Sequence, residues 1–201
     1  MSIKTQTAAI ELGSSHPLIL ERRAPIATIS SYLERVVNQM STLRYVLKKE
    51  FCSKATFEIL DRALPSGNVW AHKKDFIDDI IRIVEQFFQR SCNNEVTLKI
   101  EVVRTDMCRL FHIDQYRQRL LCTYMGPGTE WLDDNNVNHN GLGSGCNSKI
   151  VKEQHKINRA QPFEVLLIEG SKNDRGGPGV VHRSPPIQHK GLTRVLLKID
   201  E

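Results

Sequence analysis

The spacing of apolar residues changes at Glu95, and this change constrains the fold more than any other feature of the chain. Before Glu95, apolar residues recur every three or four positions, which is the period of an amphipathic helix. From Val96 to Val102 they alternate with polar residues, which is the period of a strand with one buried face. We therefore predict an α+β protein, in which helices come first and a mainly antiparallel sheet follows.

The first half of the chain predicts three helices. Ser31 and Glu34 have the spacing of a capping box, and apolar residues continue on one helical face to about Lys49. A short helix is expected over 54–64, and a strongly amphipathic helix over about 73–90. We predict that these helices form a layer that packs on the sheet.

The second half predicts a run of strands, at about 95–102, 119–125, 163–169, 179–183 and 193–199. The expected organisation is an N-terminal extension (1–28) and one domain (29–201). Within that domain, helices (29–92) precede a jelly-roll or cupin-like β region (94–201). The Gly- and Asn-rich stretch 132–160 is long for a connection, so it is either a disordered insertion or a functional lid.

Composition narrows the function classes. The 201 residues suffice for one domain with a substantial core. A net charge of +5 and a pI of about 9.0 permit an anionic ligand. The lysines and arginines are scattered, however, which argues against a nucleic-acid partner.

The cysteines and the apolar runs of the sequence predict where in the cell the protein is located. The five cysteines are odd in number and no two have C-x-x-C spacing, which argues against a disulfide framework and a zinc ribbon. No apolar run approaches the length of a signal-peptide core or a membrane span. We therefore expect a cytoplasmic protein without a membrane partner.

Two separated stretches carry metal-ligating residues. CRLFHID contains His112 and Asp114, and GVVHRSPP contains His182. Residues two apart on a strand point to the same side, so one metal ion can take both His112 and Asp114. Two histidines and one carboxylate are the minimum set for a non-haem Fe(II) site with open coordination positions.

The order of the surrounding parts resembles a known superfamily. The H-x-D motif is followed by a strand ending near Tyr124, a Gly-Pro-Gly turn and Thr-Glu, then by His182 and by an arginine, Arg194, that opens the last strand. This order, over roughly residues 95–200, is similar to that of the Fe(II)/2-oxoglutarate-dependent oxygenases. The resemblance implies a double-stranded β-helix, also called a jelly roll.

The same resemblance implies roles for individual residues. His112, Asp114 and His182 would be the iron ligands, and Arg194 would pair with the far carboxylate of 2-oxoglutarate, with Tyr124 as a second contact. Three protein ligands leave three positions on an octahedral iron, two for the 2-oxo acid and one for O₂. Arginine suits a carboxylate because its planar fork stays charged and binds both oxygens. The alternating pattern of the last strand argues that Arg194 points away from its buried apolar face.

A closer resemblance is to a bacterial family of unknown function. Its members are similar in the FHxD, TYxGPGTEWL and VHRSP stretches, here Phe111 to Asp114, Thr123 to Leu132 and Val181 to Pro185. That likeness implies no established activity. The oxygenase hypothesis therefore depends on the shared pattern of the wider superfamily.

Four further residues are candidates for the pocket. Arg183 and Ser184 adjoin the distal histidine and either bind a ligand or only turn the chain. Glu130 and Trp131 either line the pocket mouth or belong to the core, in which case Glu130 needs a polar partner. The substrate, a small molecule or a protein, is not specified by the sequence.

Two rival functions use the same residues. Cys108 lies four residues before His112, and a thiolate with imidazoles suits zinc. A site of Cys108, His112 and His182, with or without Asp114, would serve metal sensing, storage or hydrolysis. Otherwise Cys108 is a small buried residue. The second rival is a cupin-like binding module that performs no catalysis.

Overall fold

The computed structural model describes residues 18–66, 70–174 and 176–201, so most of the expected N-terminal extension lies outside the described residues. Four α-helices are present in the described residues: α1 (Ala27–Val36), α2 (Cys52–Ala63), α3 (Trp70–Arg90) and α4 (Asn147–Ile150). None of the helices in these ranges is both long and apolar enough to cross a membrane.

Nine strands follow one another along the described chain. They are β1 (Ile19–Glu21), β2 (Leu43–Lys48), β3 (Glu95–Val103), β4 (Gln118–Met125), β5 (Glu130–Trp131), β6 (Asn158–Arg159), β7 (Val165–Glu169), β8 (His182–Arg183) and β9 (Arg194–Asp200). Six form a large sheet in the order β1-β7-β4-β9-β3-β2, and three form a small sheet in the order β6-β5-β8. All pairings within both sheets are antiparallel. The structure is thus a mixture of helices and antiparallel sheet, as the change of period predicts.

The two faces of the large sheet have different partners, because successive side chains of a strand point to opposite faces. One face shares a hydrophobic cluster with the helices, whose members include Leu33, Leu60, Phe76, Leu98, Leu120, Leu167 and Leu197. The other face contributes Leu121, Leu166, Ile168 and Leu196 to a second cluster, which also holds Trp131 of the small sheet. A shift of one residue along a strand therefore moves a side chain from the helical face to the face of the small sheet.

The helices expected over 54–64 and 73–90 and the strand expected over 95–102 are confirmed. The single helix predicted from Ser31 to about Lys49 is wrong. Helix α1 ends at Val36, and 43–48 form β2, in which Leu43 pairs with Ile100 of β3. Leu43 and Leu47 are four residues apart, a spacing that suits one face of a helix and one face of a strand equally well.

The stretch 132–160 is folded. Its apolar residues form a third hydrophobic cluster with residues that flank the metal motifs: Phe111, Leu132, Val137, Ile150, Val151 and Val181. The side chain of Asn136 is bound on both sides, accepting from the Glu153 backbone N–H at 2.7 Å and donating to the carbonyls of Glu153 and Lys156. These contacts are not those of a disordered insertion.

Tyr124 lies on the helical face of the large sheet. Its ring belongs to the cluster shared with the helices, and its hydroxyl donates to Oδ2 of Asp79 on α3 at 2.7 Å. Asp79 also accepts two 2.7 Å hydrogen bonds from Arg23. Burial raises the pKa of Tyr124 well above its ordinary value, so the phenol stays protonated and donates. Tyr124 therefore links the sheet to α3, and the structure does not place it in the candidate site.

We expect Tyr124→Phe to lower the free energy of unfolding by about 1.5–3 kcal/mol, because the lost hydrogen bond is made to a buried carboxylate. Urea denaturation followed by circular dichroism measures this change. Tyr45→Phe on β2, where the tyrosine is half-buried, is the control and should change stability by less than about 0.5 kcal/mol. An unchanged midpoint for Tyr124→Phe would contradict the structural role.

Candidate metal centre

A short antiparallel bridge brings the two histidines together. The backbone N–H of His112 donates to the carbonyl of His182 at 3.0 Å, and the reciprocal hydrogen bond is 2.9 Å long. Residues paired in this way project their side chains to the same side of the ladder. The ring centroids are accordingly only 4.7 Å apart.

Asp114 completes a cluster of three potential metal ligands. Its Oδ2 lies 3.1 Å from Nε2 of His182, and its Oδ1 lies 3.6 Å from Nε2 of His112. One ligand atom from each residue lies within 4.8 Å of the other two. In the described part of the chain, no other trio of His, Cys, Asp and Glu side chains is close enough to hold a metal ion.

Backbone carbonyls fix the orientation of both rings. Nδ1 of His112 lies 2.8 Å from the carbonyl oxygen of Leu110, and Nδ1 of His182 lies 3.1 Å from that of Val180. A carbonyl oxygen only accepts, so each Nδ1 carries the proton. Nε2 is then the nitrogen that faces Asp114, to which it donates when the imidazole is protonated, and it is the nitrogen left to ligate a metal ion once that proton is lost.

Arg119 holds the carboxylate of Asp114 in place. Its Nη1 donates to Oδ2 of Asp114 at 2.6 Å, and its Nε donates to Oδ1 of Asp200 at 2.5 Å. Burial by itself would raise the pKa of Asp114. The two histidines and the Arg119 charge outweigh burial and hold the pKa of that carboxyl well below its usual range. Asp114 is therefore ionised and ready to ligate.

A cleft runs along this cluster. Its cavity volume is about 30 Å³, and it is lined by Cys108, His112, Arg119, Leu121, Thr129, His182, Arg183, Ser184, Leu196 and Lys198. Four of these residues, Arg119, Leu121, Leu196 and Lys198, belong to strands of the large sheet and lie on its face opposite the helices. Asp114 and His182 are buried, whereas the side chain of His112 is 36% exposed. The accessible edge of the cluster is therefore at His112.

Arg194 lies next to this cleft and is completely buried. Its Nη1 donates to the hydroxyl of Ser184 at 2.8 Å, and its Nη2 donates to Thr123 at 3.2 Å and Thr129 at 3.4 Å. Ser184 and Thr129 also line the cleft. The Nε of Arg194 has no hydrogen-bond partner among the described residues.

The charge of Arg194 is not balanced by a carboxylate in the described residues. Burial lowers the pKa of Arg194 to about 10, and the carboxylates of Glu101 and Glu130 only partly counter that effect. Glu101 is paired with Lys198 at 2.7 Å, and Glu130 is paired with two other arginines. A buried charge is costly unless it is paired, so this guanidinium is suited to receive an anion from outside the chain.

Glu130 finds its polar partners on both neighbouring strands of the small sheet. It accepts from Nε of Arg183 at 2.7 Å and from Nε of Arg159 at 3.0 Å. The guanidinium of Arg183 also lies 4.5 Å above the ring of Phe111. Trp131 is a core residue that pairs with His182 in the sheet register. Glu130 and Trp131 thus support the segment that carries His182.

Cys108 lies at the edge of the cleft and is exposed, so the expectation of a small buried residue is wrong. Its backbone has φ of 53°, and its carbonyl accepts from the N–H of Ser184 at 3.0 Å. The three-residue ligand cluster does not include it.

Sequence reasoning missed Arg119, Thr123, Thr129 and Lys198. The alternating pattern of β4 carries the signal for two of them, because Arg119 and Thr123 share the face of Leu121. The same period in β9 groups Lys198 with Arg194. Arg119 lies only five residues after Asp114, but its second carboxylate partner, Asp200, is 81 residues away and has no local signal.

Residues 14–200 match the model of the family described as "Protein of unknown function (DUF1826)". The chain belongs to this family. The expected membership in a family of unknown function is thereby confirmed. A search of curated proteins found no match to this DUF1826 member.

Solved structures of three named proteins are among those similar to this chain. The first is a dioxygenase for auxin oxidation in rice, 10% identical, covering 87% of this chain and 67% of that one, with a TM-score of 0.48. The Fe(II)/(alpha)ketoglutarate-dependent dioxygenase TqaL is 11% identical, with 88% and 75% covered and a TM-score of 0.45. IDO from Bacillus thuringiensis is 11% identical, with 86% and 83% covered and a TM-score of 0.40. At these identities and scores they do not decide the chemistry of the DUF1826 chain.

Arg119 and Arg194 should respond in opposite ways to removal of their charge. Arg119→Met removes the arginine that bridges two buried carboxylates, Asp114 and Asp200, and leaves Asp200 with Lys99 as its remaining cation. This loss should cost about 3 kcal/mol of unfolding free energy. Arg194→Met removes an unbalanced buried cation and should leave stability within about 1 kcal/mol of wild type, since lost hydrogen bonds offset the relief. Urea denaturation of the metal-free protein measures both. A loss for Arg194→Met equal to that for Arg119→Met would mean that contacts within the chain already satisfy Arg194.

Proposed function

We propose that this protein is a non-haem Fe(II)- and 2-oxoglutarate-dependent oxygenase whose two sheets form a jelly-roll core. The observation that carries the proposal is the buried, unbalanced guanidinium of Arg194 beside a cleft that is also lined by His112 and His182, two members of the three-residue cluster with Asp114. A metal ion and an anion-binding arginine at one cleft are what a 2-oxo dicarboxylate requires. Neither feature alone would favour this class over other metal proteins.

The donor set supports iron. Two imidazole nitrogens and one carboxylate on one side of the ion leave positions open for a cosubstrate and O₂. When bound, iron and 2-oxoglutarate supply the oxidation, in which one oxygen atom of O₂ enters the substrate and the other enters succinate, with release of CO₂. The protein holds the ligand atoms, keeps Asp114 ionised through Arg119, and fixes both imidazole tautomers through backbone carbonyls.

The polar groups around Arg194 support a carboxylate ligand. The other cations of the cleft are already paired: Arg119 with Asp114 and Asp200, Arg183 with Glu130, and Lys198 with Glu101. Arg194 is instead surrounded by hydroxyls, which accept from it and are able to donate to an anion. In oxygenases with the Arg-x-Ser pattern the last strand supplies a serine, whereas here the serine beside the arginine is Ser184, from the segment after His182.

Anaerobic titration of metal-free protein with Fe(II), and then with 2-oxoglutarate, tests the proposal. Wild type should develop the visible metal-to-ligand charge-transfer band of the ternary complex. His182→Ala should lose Fe(II) affinity by at least about tenfold. Arg194→Met should keep Fe(II) binding and lose 2-oxoglutarate affinity by about thirtyfold or more, as expected when one partner of a buried charge pair is removed. Arg35→Met, at an exposed position of α1, is the control and should match wild type.

The rival functions predict different results in the same titration. Fe(II) binding without a charge-transfer band would refute the cosubstrate and favour a metal-binding protein without oxygenase activity. The zinc alternative needs Cys108, so Cys108→Ser separates the two metals. We expect this variant to bind Fe(II) as wild type does. A protein that ignores Fe(II) and holds zinc only when Cys108 is present would replace our proposal.

A further inference from the structure

A second pocket also touches His112. One wall is the stretch from Leu110 to Ile113, and the other wall is formed by Leu142, Gly143, Gly145 and Ile150 of the folded 132–160 stretch. Its cavity volume is about 390 Å³. That volume lies in the range of small-molecule sites, roughly 300–1,000 Å³.

The side chain of Asn147 hydrogen-bonds the 132–160 stretch to the opposite wall of this pocket. Oδ1 of Asn147 accepts from the N–H of Phe111 at 2.8 Å, and its Nδ2 donates to the carbonyl of Arg109 at 2.9 Å. Phe111 and Ile150 also share the third hydrophobic cluster. The pocket is therefore built into the fold, and its shape does not depend on the closing of a lid.

The chemistry of the two pockets differs sharply. Arg119, Arg183 and Lys198 line the cleft, whereas the second pocket is lined by apolar residues and glycines apart from His112. A charged ligand group placed there would lose its hydration without gaining a partner, which is costly. His112 is the residue that both pockets share, and it is also the most accessible of the three ligands.

We propose, on the basis of the oxygenase function proposed above, that this apolar pocket binds the primary substrate. The substrate class is a small organic molecule that presents an uncharged hydrocarbon group to the His112 side of the metal centre. The cleft beside Arg194 takes the anionic cosubstrate, and the apolar pocket takes the group to be oxidised. A pocket of this volume with walls on two sides fits a small molecule better than the surface of a folded protein.

Binding of the neutral, environment-sensitive fluorophore prodan to metal-free protein tests the pocket itself. Leu110→Glu places a charge at its rim, where Leu110 is 36% exposed, and Leu142→Trp fills it. Both variants should weaken prodan binding at least fivefold. Leu192→Glu is the matched control, since Leu192 is 40% exposed and outside the pocket, and it should bind like wild type. Equal affinity in all four proteins would overturn the proposal.

Competition with bound prodan tests the substrate class. Hexan-1-ol, hexanoate and hexylammonium have the same chain and differ in charge. We expect hexan-1-ol to displace prodan at a concentration at least tenfold lower than either ion. Displacement by hexanoate or hexylammonium at the concentration of the alcohol would overturn the assignment to uncharged groups.

The visible spectrum of Co(II)-loaded protein tests whether the pocket belongs to the metal centre. Hexan-1-ol should shift the d–d bands in wild type and in Leu192→Glu, and should not shift them in Leu142→Trp. Bands that ignore hexan-1-ol in wild type would overturn the substrate assignment even if prodan binds. Failure of Co(II) to bind would overturn it too, and the prodan data would then show that the metal centre failed and not the pocket.

Discussion

The reciprocal hydrogen bonds between the backbones of His112 and His182 are the interaction on which the candidate centre depends. They join two stretches that are far apart in the sequence and set both imidazoles on one side. The same bridge positions the side chain of Asp114, because residues two apart in a paired stretch point to the same side. Arg119 then ties this small assembly to the large sheet, since its other carboxylate partner, Asp200, ends the last strand.

Because side chains alternate along β4 and β9, one face of the large sheet packs against the helices and the other face carries the residues of the candidate site. Tyr124 and Leu197 face the helices and contribute to packing. Arg119, Thr123 and Arg194 face the small sheet and form the polar surroundings of the cleft. The two buried arginines of this face differ in one respect. Folding itself supplies Arg119 with carboxylates that offset the cost of burying its charge. The cost of burying the Arg194 charge is fully offset only when an anion from outside the chain binds beside it.

Much of this arrangement could be predicted from the sequence, because its signals are local. The H-x-D spacing, the distal histidine and the two-residue period of the strands are readable without a structure, and the structure brings His112, Asp114 and His182 together. The expected contact of Tyr124 with a cosubstrate does not fit its place on the helical face, and a strand rich in apolar residues on both faces does not say which face holds the site. The helix expected over 43–48 is wrong for a different reason, because the four-residue spacing of Leu43 and Leu47 fits one face of a helix and one face of a strand. The contact of Arg119 with Asp200 and that of Asn147 with Phe111 join residues far apart in the sequence, so no short window contains them.

In the 132–160 stretch, the position of the backbone and the identity of the side chains that line the second pocket are set by different residues. A side chain at Gly141 would collide with the carbonyl of Lys149, so that position is fixed by close approach of the backbone. At Gly143 and Gly145 an added Cβ meets nothing within 4 Å, and the constraint is a positive φ, which asparagine and aspartate also tolerate. Such residues are therefore accommodated at positions 143 and 145, while the hydrogen bond from Phe111 to Asn147 holds Phe111 and the neighbouring His112 in place. Substitutions at Gly143 and Gly145 are therefore able to reshape one wall of the second pocket while the backbone around His112 stays in place.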